Sequence, residues 1–340
     1  MLDTSATAVK SATTEFLQTE EEISFVKERF CKRLMQALDL VRVSAPLAVL
    51  DNTGLNDDLN GVEKPISFSI KAMGGQKASV VQSLAKWKRV RLKDFGIQPG
   101  KGIVTDMRAM RPDDIMDNIH SVYVDQWDWE KVIVPEQRTV SYLKSTVNKI
   151  YDAVKATAED VSFMYPEFKY DLPEDIYFIH SEELLNRYPN LSPKQREEEI
   201  TKEYGAVFII GIGGALSNGE VHDGRAPDYD DWSTPNEDGY YGLNGDILLW
   251  NSVIEQPFEI SSMGIRVDKK SLETQLAIRG CENRKSLMFH KMLLNDELPL
   301  SIGGGIGQSR MGMYYLKKNH ICEVQSSMWP PEMGKGYSML

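Results

Sequence analysis

The sequence is short of the features that would assign it to several common classes. It has only three cysteines in 340 residues, Cys31, Cys281 and Cys322, too few and too scattered for a disulfide framework or a zinc knuckle. No apolar run approaches the length of a membrane span. Basic charge is outweighed, with 39 Lys and Arg against 50 Asp and Glu and a formal net charge of −11. That is the opposite of the electrostatic footprint of a nucleic-acid binder. There is no internal repeat, no Walker A loop, and no GxGxxG after an N-terminal strand. Residues 1–20, MLDTSATAVKSATTEFLQTE, lack the apolar core of a secretory signal and read as a mobile tail. A reducing, cytoplasmic setting is the expectation.

What is present is ordinary globular material, 41% apolar and 26% charged, able to bury a large core. Residues 21–340 read as one continuous domain. Ile23, Val26, Phe30, Leu34 and Leu38 recur at helical spacing and lead into VRVSAP, a short strand stopped by Pro46. DNTGLNDDLNG (51–61) is dense in turn residues and reads as a long loop. ISFSI and SVV read as strands, SLAKWKRVRLKDF from Ser83 as a helix, and GIVTDMRAMRP with SVYVDQWDWEKV as a wide hairpin. Helices are expected over 138–163, 192–204 and twice within 271–294, and strands at IYFIH, GAVFIIGIG, DILLW and FEISSMGIRV. The stretch 217–245, rich in Asp, Gly and Pro, is a long loop of the kind that usually carries function. Interleaved strands, hairpins and helices predict an α+β fold: an antiparallel sheet flanked by helices.

Charged chemistry gathers at five places. In SVYVDQWDWE, strand alternation puts Gln126, Asp128 and Glu130 on one face and Asp125, Trp127 and Trp129 on the other. Buried carboxylates there need partners or a ligand, although an edge strand with one solvated face gives the same pattern. Gly303–Arg310, GGGIGQSR, joins a glycine-rich strand end to a helix. Its glycines let backbone approach a phosphate or nucleobase, or simply let strand and helix pack tightly. Arg111 closes a strand where Pro112 breaks any helix. Asp246 and Glu259 stand on neighbouring strands, followed by Ser261, Ser262 and Arg266, a spacing suited to Mg²⁺ with triphosphate oxygens. Asp246 also fits a plain turn after Gly245. Last, HDGRAPDYDDW packs His222, Asp223, Arg225, Asp228, Asp230 and Asp231 into one loop, of which one or two are expected to face a site.

Together these segments resemble a known family. The helix, strand and proline of 24–46 resemble motif 1 of class II aminoacyl-tRNA synthetases. Arg111 with SVYVDQWDWE resembles motif 2, and GGGIGQSR resembles motif 3, except that Ser309 stands where an acidic residue often precedes the arginine. QSLAKWKR, HSVYVDQWDWE, RAPDYDDWSTP, GLNGDIL, FEISSMGIRVD and SIGGGIGQSR in this order are similar to ammonia-dependent asparagine synthetases, over roughly residues 21–330.

The resemblance implies ATP-dependent conversion of aspartate and ammonia to asparagine through a β-aspartyl adenylate, on a class II catalytic domain. It places Arg111 on the α-phosphate and the reacting carboxylate, and Arg310 at the far end of ATP. Asp246 and Glu259 would hold Mg²⁺ and the triphosphate, with His120, Ser121 and Gly305 also on the nucleotide. Ser83, Lys88, Gln126, Asp128, Ser262 and Arg266 would hold aspartate, and Asp57 and Asp230 would sit near the amino acid and incoming ammonia. It further implies a homodimer through 24–46, with no nucleic-acid or membrane partner. No cysteine stands at position 2 to act as a glutaminase nucleophile. An aspartyl-tRNA synthetase-like enzyme and a non-catalytic paralogue are the other readings. The acidic charge and the lack of residues for an anticodon-binding barrel oppose the first; joint retention of Arg111, Asp246, Glu259 and Arg310 opposes the second.

Overall fold

The structure, a computed structural model, describes residues 4–57, 63–333 and 336–340, with side chains from residue 15 onward. The chain opens with helix α1 (Thr4–Leu38), so the segment expected as a tail is helical from Thr4. No glycine or proline interrupts it before Asp39, which ends the helix in the left-handed region (φ 56). Residues 1–3 of that expected tail, and 58–61 of the expected loop, lie outside the described residues.

Strands β1 (Leu40–Arg42), β2 (Ala48–Leu50), β3 (Ser67–Ile70) and β4 (Gln76–Val80) follow, then helix α2 (Ala85–Asp94) and the hairpin β5 (Gly102–Met110) and β6 (Tyr123–Val132). After α3 (Val140–Met164) come β7 (Tyr177–His180), α4 (Ser181–Arg187), α5 (Pro193–Tyr204) and β8 (Ala206–Ile210). Past the long loop lie β9 (Asn244–Asn251), β10 (Gln256–Ile265), α6 (Lys269–Ile278), α7 (Met288–Leu294), β11 (Ser301–Gly307) and α8 (Gln308–Tyr315).

Eight strands form the main sheet in the order β1-β5-β6-β11-β10-β9-β8-β7, and β2-β4-β3 form a small antiparallel sheet beside it. The main sheet is antiparallel from β5 to β8, as expected. Both of its edges are parallel instead: β1 against β5 and β7 against β8. Each edge pair is separated in sequence by a crossover containing a helix, which parallel pairing requires. Alternation along β6 is realised as predicted. Trp127 and Trp129 pack into the core formed with α1, α3 and α8, where the Phe30 ring lies 4.7 Å from Trp127, while Gln126 and Asp128 face the opposite side. β6 lies between β5 and β11, which removes the edge-strand alternative.

Candidate active site

On the side of the sheet away from that core, two adjoining cavities open over β6, β10 and β11. The smaller, ≈ 240 Å³, includes Asp57, Ser83, Gln126, Asp128, Asp230, Ser262 and Arg266 in its lining. The larger, ≈ 580 Å³, reaches along the motif 2 hairpin to His120, Ser121 and Arg310. Arg111, Gln126, Glu259, Ser262 and Gly305 line both. Ser83, Asp57, Asp128, Asp230 and Arg266 thus belong to the smaller cavity alone and His120, Ser121 and Arg310 to the larger alone, while Lys88 and Asp246 line neither.

Local structure explains several placements. The Arg111 backbone N–H donates to Val122 O at 2.8 Å, closing the hairpin beyond the strand ends. Its Nη2 donates to Gln82 O at 3.2 Å, and its Nε is buried with no protein partner, which leaves that donor for a ligand. Glu259 and Ser262 are three residues apart and would point to opposite faces of a regular strand. The ladder shifts register between Glu259 and Ser261, and this bulge lets both line the cavities. The glycines of β11 make room for side chains from the neighbouring strands: a Cβ on Gly303 would collide with Glu130, and one on Gly305 with Gln126. Crowding by site side chains therefore selects glycine at these two positions.

The floor of the smaller cavity is an ionic lattice. Lys88 is fully buried; it pairs closely with Asp128 and donates to Trp129 O at 2.8 Å and Gly304 O at 3.2 Å. Expected to hold aspartate, it lies outside the lining of both cavities, with Asp128 between it and the smaller one. Arg266 donates bidentately to Glu130 at 2.9–3.2 Å and pairs closely with Asp230. Burial alone would raise the Glu130 carboxyl, but Arg266 and Lys88 hold it below its usual range. Burial raises Asp230 despite Arg266 and Arg225. Alternating charges held this way offer both signs to a zwitterionic diacid.

Asp246, read as a magnesium ligand or a turn residue, belongs to β9 and pairs in register with Ser262. It lies outside the lining of both cavities and closely engages Arg225. Burial pushes its carboxyl up to about 8, Glu259, Asp223 and Glu197 add to the rise, and Arg225 opposes it. Arg310 donates to Glu259 O at 2.7 Å and lies 5.9 Å over the Phe258 ring. His120 Nδ1 is 2.8 Å from Asp117 Oδ1, and Ser121 Oγ is 2.8 Å from Ser327 Oγ. Ser309 takes the place of the usual acid, and its backbone N–H donates to Asp125 at 3.0 Å.

The acidic loop was underestimated. Of the six charged residues, Asp223, Arg225 and Asp230 line the smaller cavity, with Tyr229 beside them, three where one or two were expected. The rest are engaged as well: His222 contacts Glu197 at 3.1 Å, Asp231 pairs with Arg138 at 2.5 Å, and Asp228 is fully buried. The available signal was Tyr229 and Trp232 within the run, aromatic residues that a solvated loop does not need. Among the described residues no group of three or more His, Cys, Asp or Glu side chains is arranged to hold a metal.

The fold is that of the catalytic domain of class II aminoacyl-tRNA synthetases. Asparaginyl-tRNA synthetase from Pyrococcus horikoshii, solved with asparaginyl-adenylate, superposes with a TM-score of 0.68 at 16% identity, over 92% of this chain and 70% of that one. An aspartyl-tRNA synthetase from Entamoeba histolytica gives 0.60 at 14% identity, over 92% of this chain and 59% of that one. The chain itself belongs to the aspartate–ammonia ligase family, which matches residues 17–339. An aspartate–ammonia ligase of Parabacteroides distasonis is 56% identical over 318 residues, 94% of this chain and 92% of that protein. One of Bacteroides fragilis is 57% identical over 316 residues, 93% and 92% of the two chains.

Proposed function

We propose that this enzyme of the aspartate–ammonia ligase family makes asparagine in two steps at the paired cavities. Aspartate is first activated by ATP as a β-aspartyl adenylate with release of pyrophosphate. Ammonia then displaces AMP. The junction carries this reading: a small cavity walled by charges of both signs meets a larger one at Arg111, whose Nε has no protein partner.

Aspartate fits the smaller cavity with its side-chain carboxylate toward the junction, held by Ser83, Gln126, Asp128, Ser262 and Arg266. Arg111 there neutralises charge on the carboxylate and the α-phosphoryl group as they approach, and Arg310 takes the far phosphates. Catalysis of this kind is mainly placement and electrostatic preorganisation. Glu259, which lines both cavities, and Asp246 close behind it would hold Mg²⁺: one or two carboxylates completed by phosphate oxygens is its ordinary set, and a cation there would offset the burial and the neighbouring carboxylates that raise Asp246. Mg²⁺ held there would supply charge neutralisation on the triphosphate. Asp57 and Asp230 are the acceptors nearest the incoming nitrogen.

A homodimer on the 24–46 segment is part of this reading, supported by Val41 and Leu47, each 62% exposed. The three free cysteines fit a reducing cytoplasm, and no helix among the described residues is long and apolar enough to cross a membrane. The test is product analysis with aspartate, ATP and Mg²⁺, adding ammonium or tRNA in turn. AMP, pyrophosphate and asparagine with ammonium alone are expected. ADP, or dependence on tRNA, contradicts the reading.

A further inference from the structure

A third cavity, ≈ 340 Å³, lies behind the smaller one, and Asp57 lines both. Its charged lining comes from separate elements: Asp51 and Asp57 from the 51–57 loop, Lys86 from α2, Asp228 from the acidic loop, Arg284 from the turn before α7, and His290 from α7. Among the described lining residues, three carboxylates against two permanent cations give a formal negative charge with His290 neutral, a balance that admits a small cation.

At its inner wall is a histidine–carboxylate dyad. His290 and Asp228 are both fully buried, and His290 Nε2 lies 3.0 Å from Asp228 Oδ2. That oxygen also accepts from Lys86 at 3.1 Å and Arg284 at 3.2 Å. Asp228 Oδ1 and His290 Nδ1 are buried with no hydrogen-bond partner, an expensive arrangement unless a ligand uses them. A ring that donates from Nε2 to Asp228 presents Nδ1 as an acceptor. Gly54, at φ +73, sits against this nitrogen, and a Cβ there would press on Nδ1 at 3.0 Å. The adenylate chemistry proposed above makes no use of the dyad.

We propose that this cavity admits ammonium and that His290, oriented by Asp228, takes its proton before ammonia passes Asp57 to the activated carboxyl. One N–H bond of ammonium breaks and one H–Nδ1 bond forms. The nitrogen keeps the electron pair, and the imidazolium faces Asp228 until it returns the proton to solvent. The neutral ammonia then attacks the acyl carbon, expels AMP and sheds one further proton as the amide forms. The proposal rests on the two-step reading, because ammonia must find a preformed acyl adenylate.

The test compares ammonium with hydroxylamine, a nucleophile largely unprotonated at neutral pH, in the His290→Gln enzyme. Aspartate-dependent ATP–pyrophosphate exchange should persist, and hydroxamate formation should stay near that of the unaltered enzyme. Asparagine formation from ammonium at pH 7 should fall about a hundredfold, the lower range for a lost general base, and recover as pH rises. Equal loss with both nucleophiles at every pH, or unchanged use of ammonium, overturns the proposal. Absence of exchange in the unaltered enzyme would instead sink the adenylate reading. Should His290→Gln not fold, Leu287→Trp narrows the cavity at its partly exposed rim. It should raise the KM for ammonium with exchange intact, and an unchanged KM overturns the proposal equally.

Discussion

The two compartments of the site are built on opposite plans. The amino-acid end is finished before any ligand arrives: Lys88, Asp128, Glu130, Asp230 and Arg266 are buried and paired with one another. The nucleotide end is left open. Arg111, His120 and Arg310 are half-buried, and each arginine has one backbone carbonyl as its protein hydrogen-bond partner. On the proposed assignment, a small zwitterion is selected by fixed charges that cannot relax, whereas a triphosphate brings charge of its own and needs donors still free to take it. Changes at the first end should therefore cost folding stability, and changes at the second should cost turnover.

Arg266→Ala should break that contrast most severely. It leaves Glu130 and Asp230 buried without their principal partner, a loss of about 3–5 kcal/mol, read from urea unfolding. A loss under ~1 kcal/mol would mean that the lattice is dispensable to the fold. Arg111→Ala and Arg310→Ala should cost roughly 2–4 kcal/mol in kcat/KM yet leave the unfolding midpoint almost unchanged. Lysine should restore little, because a bidentate fork becomes a point charge. Near-normal turnover of Arg111→Ala would remove it from the reaction centre.

Asp57→Asn sharpens the division between the half-reactions. ATP–pyrophosphate exchange should survive while asparagine formation drops much further, and parallel loss would move Asp57 into aspartate binding. A last test concerns pH. Asp246 titrates near 3.8 when unfolded and about 8 when folded, so between these values the folded state holds the extra proton. Its contribution to stability falls as pH rises through that window, and Asp246→Asn should flatten the slope. Magnesium competes with that proton, so the Mg²⁺ midpoint for activity should drop between pH 7 and pH 9. Equal midpoints would contradict the assignment.

What the sequence made legible follows from what periodicity records. Alternation in β6 reports which face is buried, so Gln126 and Asp128 separated cleanly from Trp127 and Trp129. Periodicity does not report depth or partners. Lys88 belongs to a helix of mixed pattern, and only the fold shows that it reaches beneath β6 and β11. The parallel edges were invisible because strand direction depends on crossovers rather than on strand residues. Glu259 was reached from the pair of carboxylates on neighbouring strands, but the bulge that aims it carries no signature in ISSM. Arg225 and Asp228 were concealed by composition: an Asp-rich run looks solvated until its cations, drawn from α2 and the turn before α7, arrive from distant sequence.

The account depends most on where the oxygen of aspartate goes. Aspartate labelled with ¹⁸O in its side-chain carboxylate is incubated with the enzyme, ATP, Mg²⁺ and ammonium, and the nucleotide and phosphate products are analysed by mass. Attack of that carboxylate on the α-phosphorus at the Arg111 junction leaves one labelled oxygen on AMP, the predicted result. Label in inorganic phosphate, with ADP as the nucleotide, would show transfer of the γ-phosphoryl group and contradict the two-compartment mechanism.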